Sequence, residues 1–250
     1  MFLLSTSSLA WYGLHHIFLL AKQGWYDGID LSVNFNDFDT FDVKYLDSIV
    51  QSTEIKIVSI TAPERKVNKK QCDQLLNLAD ELGVKIVNLH PPHRLDRERD
   101  WFWEYLQTIV QKYPSIVVNI INAPPKTWLF IISEYGDARP ETIKKITEHT
   151  ALSIDNVDPQ SGVDLMKTFI LLGSTMGFVY LSDKNEDKTW LFPGEWDMPL
   201  ESLLIKMRDI WYTGYFSLTI DPESLYAGWP ENSIIARMEK SRWFLNKYFG

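Results

Sequence analysis

Short apolar runs alternate with longer amphipathic stretches along all 250 residues of this chain. The runs lie at Phe2–Thr6, Gly28–Val33, Ile55–Ile60, Val84–His90, Ser115–Ile121, Ala151–Asp155, Gly177–Ser182 and Tyr215–Ile220. Each has the length of a strand and is nearly continuous in apolar side chains, the pattern of parallel strands covered on both faces. The stretches between them place apolar residues at three- and four-residue spacing, as Leu75, Leu76, Ala79 and Leu82 do, which predicts helix. Punctuation agrees. Gly24, Gly83 and Gly173 follow helical stretches, Pro140 opens one, and Pro63, Pro91 and Pro124 stop strand runs.

Eight strand–helix units in a chain of this length predict one α/β domain over residues 1–250, a closed (β/α)8 TIM barrel. The alternative is a doubly wound open sheet. That fold calls for a glycine-rich phosphate loop after its first strand, and Ser5-Thr-Ser-Ser8 contains no glycine. The apolar segment Trp128–Ser133 fits strand or helix equally.

Charge narrows the partners. The net charge is −8, from 25 basic and 33 acidic residues, and the densest basic segments, 64–70 and 94–99, are diluted by acids. Nucleic acid and anionic membranes reward clustered positive charge, so neither is the expected partner. The apolar N-terminus is broken by Ser5-Thr-Ser-Ser8 and His15-His16 with no basic residue before it, which reads as a first strand and helix rather than a signal or a span. The single cysteine, Cys72, sits in a helical pattern and has no partner for a disulfide. A reducing, cytoplasmic setting is the expectation.

In a closed parallel barrel all strand C-termini open on one face, and sites are built there. The strand ends of this chain are Ser7, Asn34, Thr61, His90, Asn119 or Asn122, Asp155 with Asp158, Asp183, and Asp221. Asp, Asn and Ser at such positions also serve turns and helix caps. Turn chemistry does not call for His90, nor for acids on three successive strands, so the ring as a whole reads as a ligand site. The chain also carries 10 tryptophans. Trp190 and Trp229 fall in loops of the same face, where an aromatic ring packs on a sugar or simply covers the barrel mouth.

Gly24-Trp-Tyr-Asp-Gly-Ile-Asp-Leu31, Val87-Asn-Leu-His-Pro91, Ile121-Asn-Ala-Pro124, Leu152–Asp158, Val179–Asp183 and Phe192-Pro-Gly-Glu195 follow one another along the chain. In that order and spacing they resemble the xylose-isomerase-like barrels, the group of sugar and sugar-phosphate isomerases and epimerases and of apurinic endonucleases. The resemblance covers nearly the whole length. It implies a divalent metal held by glutamate, aspartate, histidine and glutamate on strands five to eight, which polarises a sugar carbonyl. Here those positions fall on Ile121, Asp155, Tyr180 and Asp221. Two carboxylates remain, enough for a weak magnesium or calcium site at Asp155 and Asp221 and short of a zinc or manganese site. The expectation is a degenerate site with no tightly held metal or other cofactor.

The sequence thus predicts a sugar or sugar-phosphate isomerase- or epimerase-like protein that binds a small polyol at the C-terminal face. Asp155, Asp221 and His90 are the candidate catalytic residues. Asn122, Asp158, Asp183, Trp190 and Trp229 are the candidate substrate contacts. The alternative is a non-catalytic sugar-binding or regulatory barrel.

Overall fold

The structure, a computed structural model, describes residues 1–65, 67–94, 101–124, 127–128, 132–135, 139–157 and 164–250. In chain order its strands are β1 (Phe2–Ser5), β2 (Gly28–Ser32), β3 (Ile57–Thr61), β4 (Ile86–Leu89), β5 (Val117–Ile121), β6 (Thr127–Trp128), β7 (Ile132–Ser133), β8 (Thr150–Ser153), β9 (Met176–Leu181) and β10 (Tyr215–Leu218). All but β6 and β7 pair in parallel and close into a barrel of order β1-β10-β9-β8-β5-β4-β3-β2. Closure runs through β1, which pairs Phe2 with Phe216 on one side and Leu3 with Gly28 on the other. The ambiguous segment after β5 holds the short antiparallel pair β6–β7. The expected (β/α)8 barrel is therefore the observed fold.

The outer helices are α1 (Leu14–Gln23), α2 (Val43–Thr53), α3 (Lys69–Glu81), α4 (Trp101–Lys112), α5 (Pro140–Ile146), α6 (Leu165–Leu172), α7 (Leu200–Asp209) and α8 (Glu231–Tyr248). Several starts are fixed by side chains that accept otherwise orphaned amides. Asp42 takes those of Lys44 and Tyr45, Asn68 forms a capping box with Gln71, and Asp164 takes that of Lys167. Among the described residues no helix is long and apolar enough to cross a membrane.

Strand residues divide by parity. Ile29, Leu31, Ile60, Val87, Leu89, Val179, Phe216 and Leu218 face outward into the main core with Leu75, Leu76, Leu203 and Met238 of the helices. Each fully buried side chain of this kind contributes about 1.5–3 kcal/mol. A second, smaller apolar cluster, Leu3, Ile86, Ile121, Ala151, Phe178 and Tyr180, lies apart from it inside the barrel. Phe178 stacks between Tyr180 (5.0 Å) and Tyr215 (6.2 Å).

The strands are less uniformly apolar than their sequence pattern suggests. In β2, β3, β4 and β10 the positions alternating with the outward residues are Asp30, Ser32, Ser59, Thr61, Asn88 and Ser217, all buried or nearly so. Side chains alternate faces with period two, so these residues form a polar layer inside the barrel. That layer is the floor of the cavity at the barrel's C-terminal end.

Candidate functional site

A cavity of about 300 Å³ opens at the C-terminal end of the barrel, and every barrel strand supplies part of its wall. Ser7 follows β1, Ser32 and Thr61 end β2 and β3, and His90 follows β4. Ile121 and Ser153 end β5 and β8, Tyr180 comes from β9, and Thr219, Ile220 and Asp221 follow β10. Trp190 and Glu64 reach it from loops. Among the described residues, those lining it include no lysine or arginine.

The three strand-end acids have different surroundings. Asp183 is fully buried, and its carboxylate accepts four backbone amides: Lys184 (2.8 Å) and Met198 (3.1 Å) on Oδ1, Gly194 (3.0 Å) and Trp196 (3.1 Å) on Oδ2. Burial raises its pKa and the four amides oppose that. It therefore organises the loop from β9 to α7. The loop closes tightly at Gly194, whose φ is +80° and whose Cβ, if it had one, would lie 2.2 Å from the Phe244 ring. Only glycine meets both conditions.

Asp155 follows β8 and is also buried. One carboxylate oxygen accepts the Trp190 amide at 2.7 Å and the other accepts the Ser182 hydroxyl in a short bond. Burial pushes its pKa up to about 7, against the Ser182 and Trp190 bonds and the nearby Lys184 charge. The Trp190 carbonyl in turn accepts the Asp221 amide at 2.7 Å. The Trp190 peptide is thus bonded to both Asp155 and Asp221, and it is held at φ +59°. A non-glycine residue costs roughly 1–2 kcal/mol in that left-handed region, a cost these two bonds offset.

Asp221 is exposed, and among the described residues its carboxylate makes no hydrogen bond. Partial burial and the Glu223 charge raise its pKa, while Lys188 lowers it. His90, half-buried in the opposite wall, has its pKa lowered to about 4 by burial, with the Glu64 charge opposing. Its imidazole is neutral at pH 7.

The floor is a network of uncharged donors and acceptors around one acid. Asp30 of β2 is completely buried and accepts hydroxyls from Ser59 (2.7 Å) and Thr61 (2.7 Å) on Oδ1 and from Ser217 (3.0 Å) on Oδ2. Burial raises its pKa to about 6 against those three bonds. The Thr61 hydroxyl also meets the Tyr180 phenol at 2.7 Å and accepts from Asn88 Nδ2 at 3.5 Å. Asn119 donates to Asn88 at 2.9 Å. The Ser153 hydroxyl is buried and has no hydrogen-bond partner among the described residues.

Among the candidates read from the sequence, His90, Trp190 and Asp221 line the cavity. Asn122, Asp155, Asp183 and Trp229 are not among its lining residues. Asn122 bridges neighbouring strands, accepting the Ser153 amide (2.6 Å) and donating to its carbonyl (3.1 Å). Trp229 is 63% exposed and packs on Tyr226 at 5.4 Å. Asp158 lies outside the described residues. Ile121 and Tyr180, which stand where the resemblance places metal ligands, do line the cavity. Among the described residues no group of three or more His, Cys, Asp and Glu is arranged to hold a metal ion. The sequence reading missed Asp30, Ser153 and the hydroxyl layer. Their signal was the strict alternation in Ile29-Asp-Leu-Ser-Val33 and Phe216-Ser-Leu-Thr219.

No protein-family model matches the sequence, and no curated protein matches it significantly. Solved structures do match the fold over the whole chain. An L-ribulose 3-epimerase superposes with a TM-score of 0.71 at 12% identity, covering 100% of this chain and 95% of its own. A xylose isomerase domain protein from Alicyclobacillus acidocaldarius gives 0.69 at 14%, covering 100% and 98%. Endonuclease IV from Thermus thermophilus gives 0.55 at 15%, covering 96% and 99%. The chain has the fold of the xylose-isomerase-like barrels, as its motifs led one to expect. Because that fold carries both sugar enzymes and a nuclease, the choice of function rests on the cavity.

Proposed function

We propose that this barrel binds a small, neutral sugar or polyol in the cavity at its C-terminal face. The observation that carries the reading is the composition of the wall among the described residues: hydroxyls of Ser7, Ser32, Thr61, Tyr180 and Thr219 beside Val33, Ile121 and Trp190, with no lysine or arginine among them. Hydroxyls exchange donor and acceptor roles with ligand hydroxyls. A phosphate ester calls for lysine or arginine, and neither is among the described residues of the wall. About 300 Å³ suits a monosaccharide-sized ligand. The sugar enzymes among the structural neighbours agree with this class.

If the site turns over its ligand, the reaction is an isomerisation or epimerisation, and His90 and Asp221 are the proton-transfer groups in the wall. Asp155 then acts through the Trp190 peptide rather than on the ligand. The metal expected of such barrels does not fit these residues. Ile121 offers no lone pair, Tyr180 is bonded to Thr61, and both oxygens of Asp155 are engaged.

Calorimetric titration with neutral aldoses, ketoses and alditols and with their phosphates tests the reading. Neutral ligands are expected to bind at least about tenfold more tightly, roughly 1.4 kcal/mol; tighter binding of the phosphates would overturn it. Solvent-deuterium incorporation into a bound sugar separates catalysis from binding alone. Elemental analysis tests the metal reading, which one stoichiometric transition metal per chain would sink.

A further inference from the structure

Both oxygens of Asp30 reach the cavity wall through two hydroxyls. Oδ1 leads through Thr61 to Tyr180, and Oδ2 leads through Ser217 to Thr219, which lies 3.3 Å from the Ser217 hydroxyl. Tyr180, Thr61 and Thr219 line the cavity, while Asp30 lies beneath it. Each hydroxyl has one proton, so the state of Asp30 fixes the direction of each chain. With Asp30 ionised, Ser59, Thr61 and Ser217 all donate to it. Thr61 has then no proton left for Tyr180, so Tyr180 donates to Thr61 and turns a lone pair toward the cavity.

We propose that Asp30 is a specificity-determining residue of this site: the proton it gains or loses decides whether Tyr180 presents an acceptor or a donor to the ligand. When Oδ1 takes up a proton, the new O–H donates to Thr61, Thr61 turns its proton to the Tyr180 oxygen, and the phenol proton is released toward the cavity. Ser59 keeps its bond through the remaining lone pair of Oδ1. One proton is added from solvent, two hydroxyl groups, those of Thr61 and Tyr180, reorient, and no bond between heavy atoms changes. The ionised form favours a ligand hydroxyl at this wall. The protonated form favours a carbonyl or ether oxygen.

The surroundings of Asp30 suit this role. Ser59 and Thr61 of β3 and Ser217 of β10 bond to it, and Ser5 of β1 sits beside it in register. Tyr180 of β9 is the titratable group that senses its charge. No charged side chain among the described residues contributes to the Asp30 shift. Burial alone therefore brings its titration into the range near neutrality, and no ion pair pins it in the charged form.

The proposal rests on the cavity being the ligand site, but its test needs no ligand and so fails or succeeds separately from the sugar titrations. Infrared difference spectra of the free protein, with ring-labelled tyrosine, are taken between about pH 4 and pH 8. The expected result is a buried-carboxyl band that titrates together with a tyrosine C–O band. Asp30→Asn removes the Asp30 part of the carboxyl signal, leaving that of Asp155, and removes the tyrosine band with it, whereas Tyr180→Phe removes the tyrosine band alone. Thr61→Val, which keeps shape and deletes the relay hydroxyl, leaves the carboxyl band and stops the tyrosine band from following it. A tyrosine band that does not move in the wild type, or that still follows pH in Thr61→Val, overturns the proposal. Because the relay is judged on Thr61→Val and Tyr180→Phe, it remains testable where Asp30→Asn does not fold.

Discussion

Asp183 and Asp30 are both fully buried aspartates in barrel strands or at their ends, and both are satisfied only by uncharged donors. Their donors differ in kind. Asp183 is held by four backbone amides, which cannot reverse. Asp30 is held by three hydroxyls, each of which can rotate and exchange donor for acceptor. An acid fixed by amides acts as an anchor for a loop. An acid fixed by hydroxyls is connected to whatever lies beyond them, here the cavity wall. The chemistry of the donor, more than the position of the acid, separates scaffold from site.

The sharpest way to break this comparison is Asp183→Ala. It orphans four amides at once, and at roughly 1 kcal/mol each the loss is about 4 kcal/mol in urea unfolding. A loss under about 1 kcal/mol would remove Asp183 as the loop anchor.

Asp155 gives a smaller effect with a definite sign in pH. Its pKa is raised from 3.8 to about 7 in the folded chain. The native state therefore holds a proton that the unfolded state has released, and stability falls as pH rises through 7. Between pH 6 and pH 8 this one group removes about 1.4 kcal/mol. Asp30 acts in the same direction through its raised pKa of about 6. Asp155→Asn should flatten the Asp155 part of that decline in thermal unfolding curves; an unchanged slope would show that Asp155 titrates elsewhere.

Tyr180→Phe tests the other side of the comparison. It removes one hydroxyl bond from the floor and should cost about 1 kcal/mol of stability. The affinity for neutral sugars should drop about tenfold. Stability lost without affinity would make the floor a scaffold like the Asp183 loop. Trp229→Ala is the mildest change. Its exposed ring predicts a change within about 0.5 kcal/mol in stability and no change in sugar affinity.

The barrel was legible because its eight-fold alternation of strand and helix is a long-range pattern that single residues cannot blur. The strand ends were legible for the same reason, and His90, Trp190 and Asp221 do meet in one cavity. What stayed hidden was what each acid bonds to. Leu181-Ser-Asp183 and Thr219-Ile-Asp221 look alike in sequence. One carboxylate is enclosed by its own following loop, and the other lines the cavity. That outcome depends on how residues 184–198 fold back, which no local pattern encodes. Asp30 was hidden for a different reason. The apolar neighbours of the second strand mask its alternation, although Ile29 and Leu31 point to the helices and Asp30 and Ser32 to the interior.

The Asp183 anchor also bears on how readily this protein can be altered. It grips main-chain N–H groups, which every residue except proline possesses, so the loop's attachment is indifferent to most of the loop's own side chains. Gly194 must stay, and proline is barred from 184, 194, 196 and 198. Asp187 and Thr189 are exposed, and neither side chain takes part in the Asp183 anchor. A library randomised at those two positions should therefore retain the barrel while varying the rim beside Trp190, and with it the ligand preference of the cavity.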